Sequence, residues 1–371
     1  MTISVHKPLN LHSTQRKILE LIRSHAPVTR AELSRLSKLT GGTITQQCRE
    51  LIFQGLVIEG EPNKGQRGQP SLPLKLNPGG ACSVGVSFSP GFIDISMVDF
   101  CGHKLFSASQ QHIESQPLAN TMQQIKLLID EILKKKKLRH ARILGIGYAV
   151  PGFIRHDKKR QVVSWLSHWQ DVDLYQEFST SLPWPTWIEN NANSSAIGEF
   201  YRGEWPNCHD LTSIDLGYGI GAGVIANQKL LRGGFGNAGE IGIAFPGDKQ
   251  RPSLMNLLST LREHELDVEN LANLLAIKHP VVEKWIDRCC EQVEQTVMGC
   301  IQWLDPQIII LGGRMPPSVL QIIVDTVNEN IGAKLDEFKP TSTLVVSKMG
   351  IESASWGAAM IPLYQILNSE E

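Results

Sequence analysis

The chain of 371 residues contains no run of about 18 uninterrupted apolar residues, so no segment reads as a membrane-spanning helix. Its N-terminus, Met1-Thr-Ile-Ser-Val-His-Lys7, has no apolar core of the kind an export signal carries. Seven cysteines (48, 82, 101, 208, 289, 290 and 300) are odd in number and show no C-x-x-C spacing. They read as buried or free thiols, with no disulfide or zinc framework, and the expected location is the cytoplasm. Net charge is nearly absent as well, at −1. That balance hides an asymmetry. Residues 1–80 carry 11 Lys and Arg against 5 Asp and Glu, a net of +6, and the remainder carries 25 against 32, a net of −7. A basic head on an acidic body points to a polyanionic partner for the head.

The motifs present in the head support that partner. Thr29-Arg-Ala-Glu32 has the form of a capping box, and Leu33 and Leu36 lie three apart behind it. The helix they predict ends in Lys38-Leu-Thr-Gly-Gly42, and Thr40 can cap the next one. In that second helix Ile44, Cys48, Leu51 and Ile52 share a face, which leaves Thr43, Thr45, Gln46, Gln47 and Arg49 on or near the other. Short hydroxyls, amides and a guanidinium read base edges and hold phosphates. An ordinary helical hairpin with a polar outer face gives the same pattern. The segment after it is rarer. Residues 56–59 and 71–76 read as two strands, and the Gly-rich loop between them carries Lys64 and Arg67 with no acid after Glu61. Helix, helix, strand and basic loop in that order suit a winged helix-turn-helix, with the wing on phosphates or in a minor groove. The candidate DNA contacts are Thr40, Thr43, Thr45, Gln46, Gln47, Arg49, Lys64 and Arg67.

Beyond the turn-rich Asn77-Pro-Gly-Gly80 the pattern alternates between strands and helices, which makes the body α/β. Strands are expected at 83–89, 92–99, 143–150, 186–189, 211–216 and 307–311, and helices at 122–133, 193–200 and 285–303. The densest motif is Gly217-Tyr-Gly-Ile-Gly-Ala-Gly223, with Gly233-Gly-Phe-Gly-Asn-Ala-Gly-Glu-Ile-Gly242 after it. Alternate glycines let a backbone approach a ligand closely, although tight packing of a strand demands the same residues. Glu240, with Asn190 and Asn191 at the end of a strand, offers one carboxylate and short amides, a set suited to a polyol or sugar.

At these residues the chain resembles the ROK family of sugar kinases and repressors, in the branch that adds an N-terminal winged helix. The resemblance runs through Asn190-Asn-Ala-Asn193, Gly217 to Gly223, Ala238-Gly-Glu-Ile-Gly242, Asp305-Pro-Gln-Ile-Ile-Ile-Leu-Gly-Gly313 and Trp356-Gly-Ala-Ala359. It implies a winged helix-turn-helix over 1–78 and a two-lobed actin/hexokinase-like, ribonuclease H-like body over 79–371. The first lobe would take about 81–192 plus the C-terminal helix, and the second about 193–351. A sugar effector would sit between the lobes beside Asn190, Asn191 and Glu240, and the body would form a homodimer.

The chain also departs from the family. The kinases' Asp-x-Gly-x-Thr loop is here Val86-Ser-Phe-Ser-Pro-Gly91, their catalytic Asp is Asn191, and Tyr218 stands for a threonine of the second phosphate loop. A carboxamide is not basic enough to take a sugar hydroxyl's proton, and phosphoryl transfer depends on the altered positioning groups. No kinase activity is expected. The family's structural zinc needs a histidine where Ile243 stands and cysteines that residues 246–254 do not contain, so no metal or cofactor is expected there. His168 and Trp169 could stack on a sugar, with core packing as the alternative. The leading expectation is a DNA-binding transcriptional repressor of carbohydrate genes, relieved by a sugar. A regulator whose body only dimerises or docks a protein, and an active sugar kinase, remain the alternatives.

Overall fold

A computed structural model describes residues 9–61, 72–135, 138, 141–202, 205, 208–245, 250–335 and 342–368. The chain begins with three helices, α1 (Ser13–His25), α2 (Arg30–Ser37) and α3 (Gly41–Phe53), and a two-stranded hairpin, β1 (Val57–Glu59) with β2 (Leu74–Leu76). The capping box forms as expected. Thr29 Oγ1 accepts from Glu32 N at 3.3 Å, and Glu32 Oε2 accepts from Thr29 N at 2.8 Å. Lys38 leaves α2 in a left-handed conformation and Thr40 caps α3. Ile18, Leu19, Ile22, Leu33, Ile44, Cys48 and Leu51 close a small core between the helices.

The body holds two five-stranded sheets of the same design. The first comprises β3 (Cys82–Ser89), β4 (Phe92–Asp99), β5 (Lys104–Gln111), β6 (Ile143–Ala149) and β9 (Thr186–Glu189), ordered β5-β4-β3-β6-β9. A small hairpin, β7 (Gly152–Ile154) with β8 (Arg160–Val162), stands between the last two in sequence. The second comprises β10 (Leu211–Leu216), β11 (Ile220–Ala226), β12 (Lys229–Leu230), β13 (Ile308–Gly312) and β14 (Thr343–Val346), ordered β12-β11-β10-β13-β14. In each sheet three strands run antiparallel and the last two join in parallel.

Each sheet also hands a helix to the other. Helix α6 (Asn191–Tyr201) comes after β9 of the first sheet but packs on β10 and β11 of the second. Helix α11 (Ser353–Asn368) comes after β14 of the second but packs on β3, β4 and β6 of the first. The two helices lie against each other between the sheets. Glycine makes this approach possible. A Cβ on Gly85 or Gly147 would overlap the α11 backbone, and one on Gly357 would overlap the Ser194 carbonyl of α6. Helices α4 (Leu118–Lys135) and α5 (Leu174–Ser181) belong to the apolar core of the first sheet. Helices α7 (Leu254–Glu263), α8 (Leu271–Ala276), α9 (Pro280–Leu304) and α10 (Pro317–Lys334) belong to that of the second.

The N-terminal unit is continuous with the body. Its core merges with side chains of α6 and α11 into one apolar cluster. Arg23, half-buried and bidentate to Glu20, lies with its guanidinium carbon 4.3 Å from the Tyr201 ring centre and 5.2 Å from that of Phe200, both at the end of α6. Arg142 Nη1 donates to the Gln54 carbonyl at 3.2 Å, and Phe100 N to the Pro78 carbonyl at 3.2 Å.

Candidate functional site

Helix α3 displays a polar face. Thr40, Gln46 and Arg49 are exposed, and Thr43 and Thr45 are half-buried. Thr40 Oγ1 accepts from Thr43 N at 3.2 Å, and Thr45 Oγ1 donates to the Gly41 carbonyl at 2.8 Å. Gln46 Nε2 donates to Glu50 Oε1 at 3.2 Å, which orients the amide along the surface. Gln47 stands apart from this set. It shares the stripe of Ile44, Cys48 and Leu51, and its Oε1 is shielded from solvent without a partner. Lys64 and Arg67 lie outside the described residues.

The second cluster lies where β9 runs into α6. Asn190 is the N-cap of α6, its Oδ1 accepting from Ala192 N at 2.8 Å. Its Nδ2 donates to the Gly152 carbonyl at 2.8 Å and to Glu240 Oε1 at 3.2 Å. Both amide hydrogens are therefore engaged, and Asn190 fixes Glu240 against Gly152 at the start of β7. Asn191 opens the helix, with its Oδ1 buried and without a hydrogen-bond partner. A buried acceptor left in this state costs about 1–3 kcal/mol. Of the three effector candidates, Asn190, Asn191 and Glu240, it is Asn191 whose buried acceptor has no partner.

Four residues that no sequence motif singles out complete the cluster. Glu189, buried at the end of β9, accepts from Asn190 N at 2.9 Å and Asn193 Nδ2 at 3.0 Å, and pairs with Arg232. Arg160, on β8, donates to the Gly152 carbonyl at 3.3 Å. Asn237 pins the loop that carries Glu240, accepting from Ile154 N and donating to Ile154 O, each at 2.7 Å. Burial raises the Glu240 carboxyl above its ordinary range, opposed by the Arg160 charge. No periodicity marks these residues; Glu189 and Arg232 meet across 43 residues and Asn237 and Ile154 across 83, while Arg160 reaches a carbonyl of the neighbouring strand.

An ion pair also bolts the two sheets together. Arg314 Nη1 meets Asp94 Oδ2 at 2.6 Å, which joins the end of β13 to β4. Asp94 is 7% and Arg314 19% exposed, so the pair is largely out of water. Gly313 has φ +103 and a Cβ there would stand 2.6 Å from Asp215 Oδ1, so only glycine lets the chain turn toward Asp94. Burial also raises the Asp215 carboxyl, against the Ser195 hydroxyl at 3.1 Å and the Arg314 charge.

The glycine motif divides between both of its readings. Gly219 faces open space, but a Cβ on Gly223 would crowd Ala192 O at 2.5 Å and Ala196 Cβ at 2.6 Å. Gly221 likewise meets Ala192 Cβ at 3.2 Å. Close approach to a ligand is therefore corrected for these two, which seat α6 on β11. Trp169 is fully buried edge-on to Phe88, with centroids 5.0 Å apart, so it is core, while His168 is exposed.

Comparison with known proteins shows the same division. Residues 97–254 match the model of the ROK family, and residues 11–58 match that of a winged helix-turn-helix DNA-binding domain. Over these segments the chain is similar to the ROK family, with a winged helix-turn-helix at its head. It is 25% identical to the xylose repressor of Bacillus subtilis over 95% of this chain and 96% of that one. It is 30% identical to the xylose repressor of Caldicellulosiruptor bescii, where the match spans 61% of this chain and just over half, 56%, of the relative. The crystal structure of a ROK family transcriptional regulator, a homolog of the E. coli MLC protein, superimposes with a TM-score of 0.71 over 96% of this chain and 98% of that one, at 18% identity. The winged helix-turn-helix and the two-sheet ROK body are thus the fold of this chain.

Proposed function

We propose that this protein is a DNA-binding transcriptional repressor of carbohydrate-metabolism genes, released from its operator by a sugar or sugar derivative. Residues 1–78 grip duplex DNA with Thr40, Thr43, Thr45, Gln46 and Arg49 of α3, Gln47 supporting them from the core side. Lys64 and Arg67 supply the wing. The effector lies between the two sheets, accepted by Asn191 and by Glu240, with Asn190 holding that carboxylate in place. The working form is a cytoplasmic homodimer, which sets two recognition helices about one helical turn apart on a palindromic site.

The observation that carries this reading is α6. Its first residues, Asn190 and Asn191, stand at the effector cluster, and its last, Phe200 and Tyr201, hold Arg23 of the winged domain. One rigid helix joins the two sites. A ligand that favours one seating of α6 shifts the orientation of the DNA-binding unit, and one that favours neither shifts nothing.

Phosphoryl transfer is not part of the reading. Asn191 cannot serve as a base, because a carboxamide does not take up a sugar hydroxyl's proton.

Gel shifts across a salt series test both halves. Arg49→Ala should weaken operator binding and reduce the salt slope by about one unit, as expected for a lost phosphate contact. Glu240→Ala should bind the operator normally yet resist the sugar that releases the wild type. Unchanged affinity in the first, or equal release in the second, places the corresponding site elsewhere.

A further inference from the structure

The turn between β4 and β5 brings together three metal-ligand types. Among the described residues, Asp99, Cys101 and His103 form the one group of three His, Cys, Asp or Glu side chains whose ligand atoms all lie within 4.8 Å of one another. Asp99 Oδ1 is held by Cys101 N at 2.8 Å and His103 N at 3.0 Å, which leaves Oδ2 facing His103 Nδ1 at 3.1 Å. Capping the turn accounts for the carboxylate. It does not account for a thiol and an imidazole gathered with that carboxylate, one ligand atom from each within 4.8 Å of the others.

The turn is also anchored. Gly102 has φ +85, its carbonyl accepts from Trp356 Nε1 at 3.2 Å, and Lys104 pairs with Glu352 at 2.5 Å. Preformed geometry lowers the cost of assembling a ligand set. We propose that Asp99, Cys101 and His103 bind a zinc ion, with water in the fourth position. Thiolate, imidazole and carboxylate at about 2.0–2.3 Å are zinc's ligands, whereas calcium and magnesium take oxygen alone. Small side-chain rotations bring the three atoms to the spacing a tetrahedron requires.

The site stands at the joint between the winged domain and the body. Cys101 Sγ lies 3.7 Å from the carbonyl of Leu76, the last residue of β2, and Phe100 N holds Pro78. Zinc would draw the sulfur off Leu76 and so reset the linker.

Full-length protein, stripped with chelator, is titrated with Zn2+ against a chromophoric competitor and with Co2+ for thiolate-to-cobalt absorption. The expected result is one equivalent of metal and a charge-transfer band. Cys101→Ser should remove both, and His103→Ala should weaken binding tenfold or more. His103 is 74% exposed at its side chain, so that variant tests ligation without touching the core. Cys208→Ser should change nothing. Failure of the wild type to bind, a band that survives Cys101→Ser, or full affinity in His103→Ala overturns the proposal.

Discussion

Helices α6 and α11 hold equivalent places, each coming after the fifth strand of its own sheet and packing on the other, yet their sequences have little in common. Helix α6 opens on Asn190-Asn-Ala-Asn193, whose amides turn toward Glu189, Gly152 and Glu240. Helix α11 is apolar and small through Gly357-Ala-Ala359, and it accepts the backbones of β3 and β6 at Gly85 and Gly147. One helix carries chemistry at its start and the DNA-binding unit at its end. The other is the surface on which the first sheet and α6 are seated. Duplicated topology therefore does not imply duplicated function. In the function proposed above, recognition falls to one copy and packing to the other.

The packing role is the easiest to break. Gly357→Val puts a side chain into the Ser194 carbonyl, backbone against backbone, where neither helix can yield without separating the sheets. Overpacking costs about 1–3 kcal/mol at ordinary sites and more where backbones must move. The expected outcome is insoluble protein, or a urea midpoint far below that of the wild type. A midpoint unchanged by this variant would mean that α6 and α11 do not touch in solution.

The bolt between the sheets comes next. Arg314→Ala leaves Asp94 buried opposite nothing but Ser89, and removal of one partner of a buried pair costs about 3–5 kcal/mol. The partial exposure of Arg314 places the expected loss toward the lower end. Asp94→Ala combined with Arg314→Ala should recover part of it, since no orphaned charge remains. Denaturant melts of the three variants give the coupling directly. Strict additivity would mean that the ion pair does not clasp the sheets.

How much of this is legible in the sequence differs between the halves. The capping box, the Thr40 cap and the alternation of strands and helices are readable because each depends on neighbours within a few residues. Strand β5 and helix α10 are not singled out by pattern, although β5 pairs along β4 and α10 buries Val319, Leu320, Ile323 and Val327. Asn190 and Glu240 are readable as a motif. Glu189, Arg160, Arg232 and Asn237 are not, because their partners lie up to 83 residues away. The same holds for the clasp, whose two halves are 220 residues apart. Gly223 misleads for a physical reason: close approach to a helix and close approach to a ligand ask for the same missing Cβ.

If α6 transmits, its far end should matter without touching DNA or effector. Arg23→Ala removes the guanidinium from Tyr201 and Phe200, a contact worth about 0.5–2 kcal/mol. The expected result is operator binding in the absence of sugar within a few-fold of wild type, and a clearly smaller loss of binding when the sugar is added. Effector affinity is read alongside by thermal shift. An undiminished sugar response would leave α6 as packing only, like its counterpart.

The smallest effect concerns the charge at the other end. Burial raises the Glu240 carboxyl above its unfolded value, so ionisation disfavours the folded state. The folded chain binds the proton more tightly, and the stability this group contributes is present below its unfolded pKa and lost as pH rises through the folded one. Glu240→Gln removes the ionisation and keeps an oxygen to accept from Asn190. The variant should therefore melt slightly higher than wild type at neutral pH, and the gap should shrink as pH falls below the carboxylate range. A gap that widens on acidification would mean that Arg160 outweighs burial and holds the carboxylate charged. In that case the start of α6 would be a structural ion pair, and its difference from α11 would be one of packing alone.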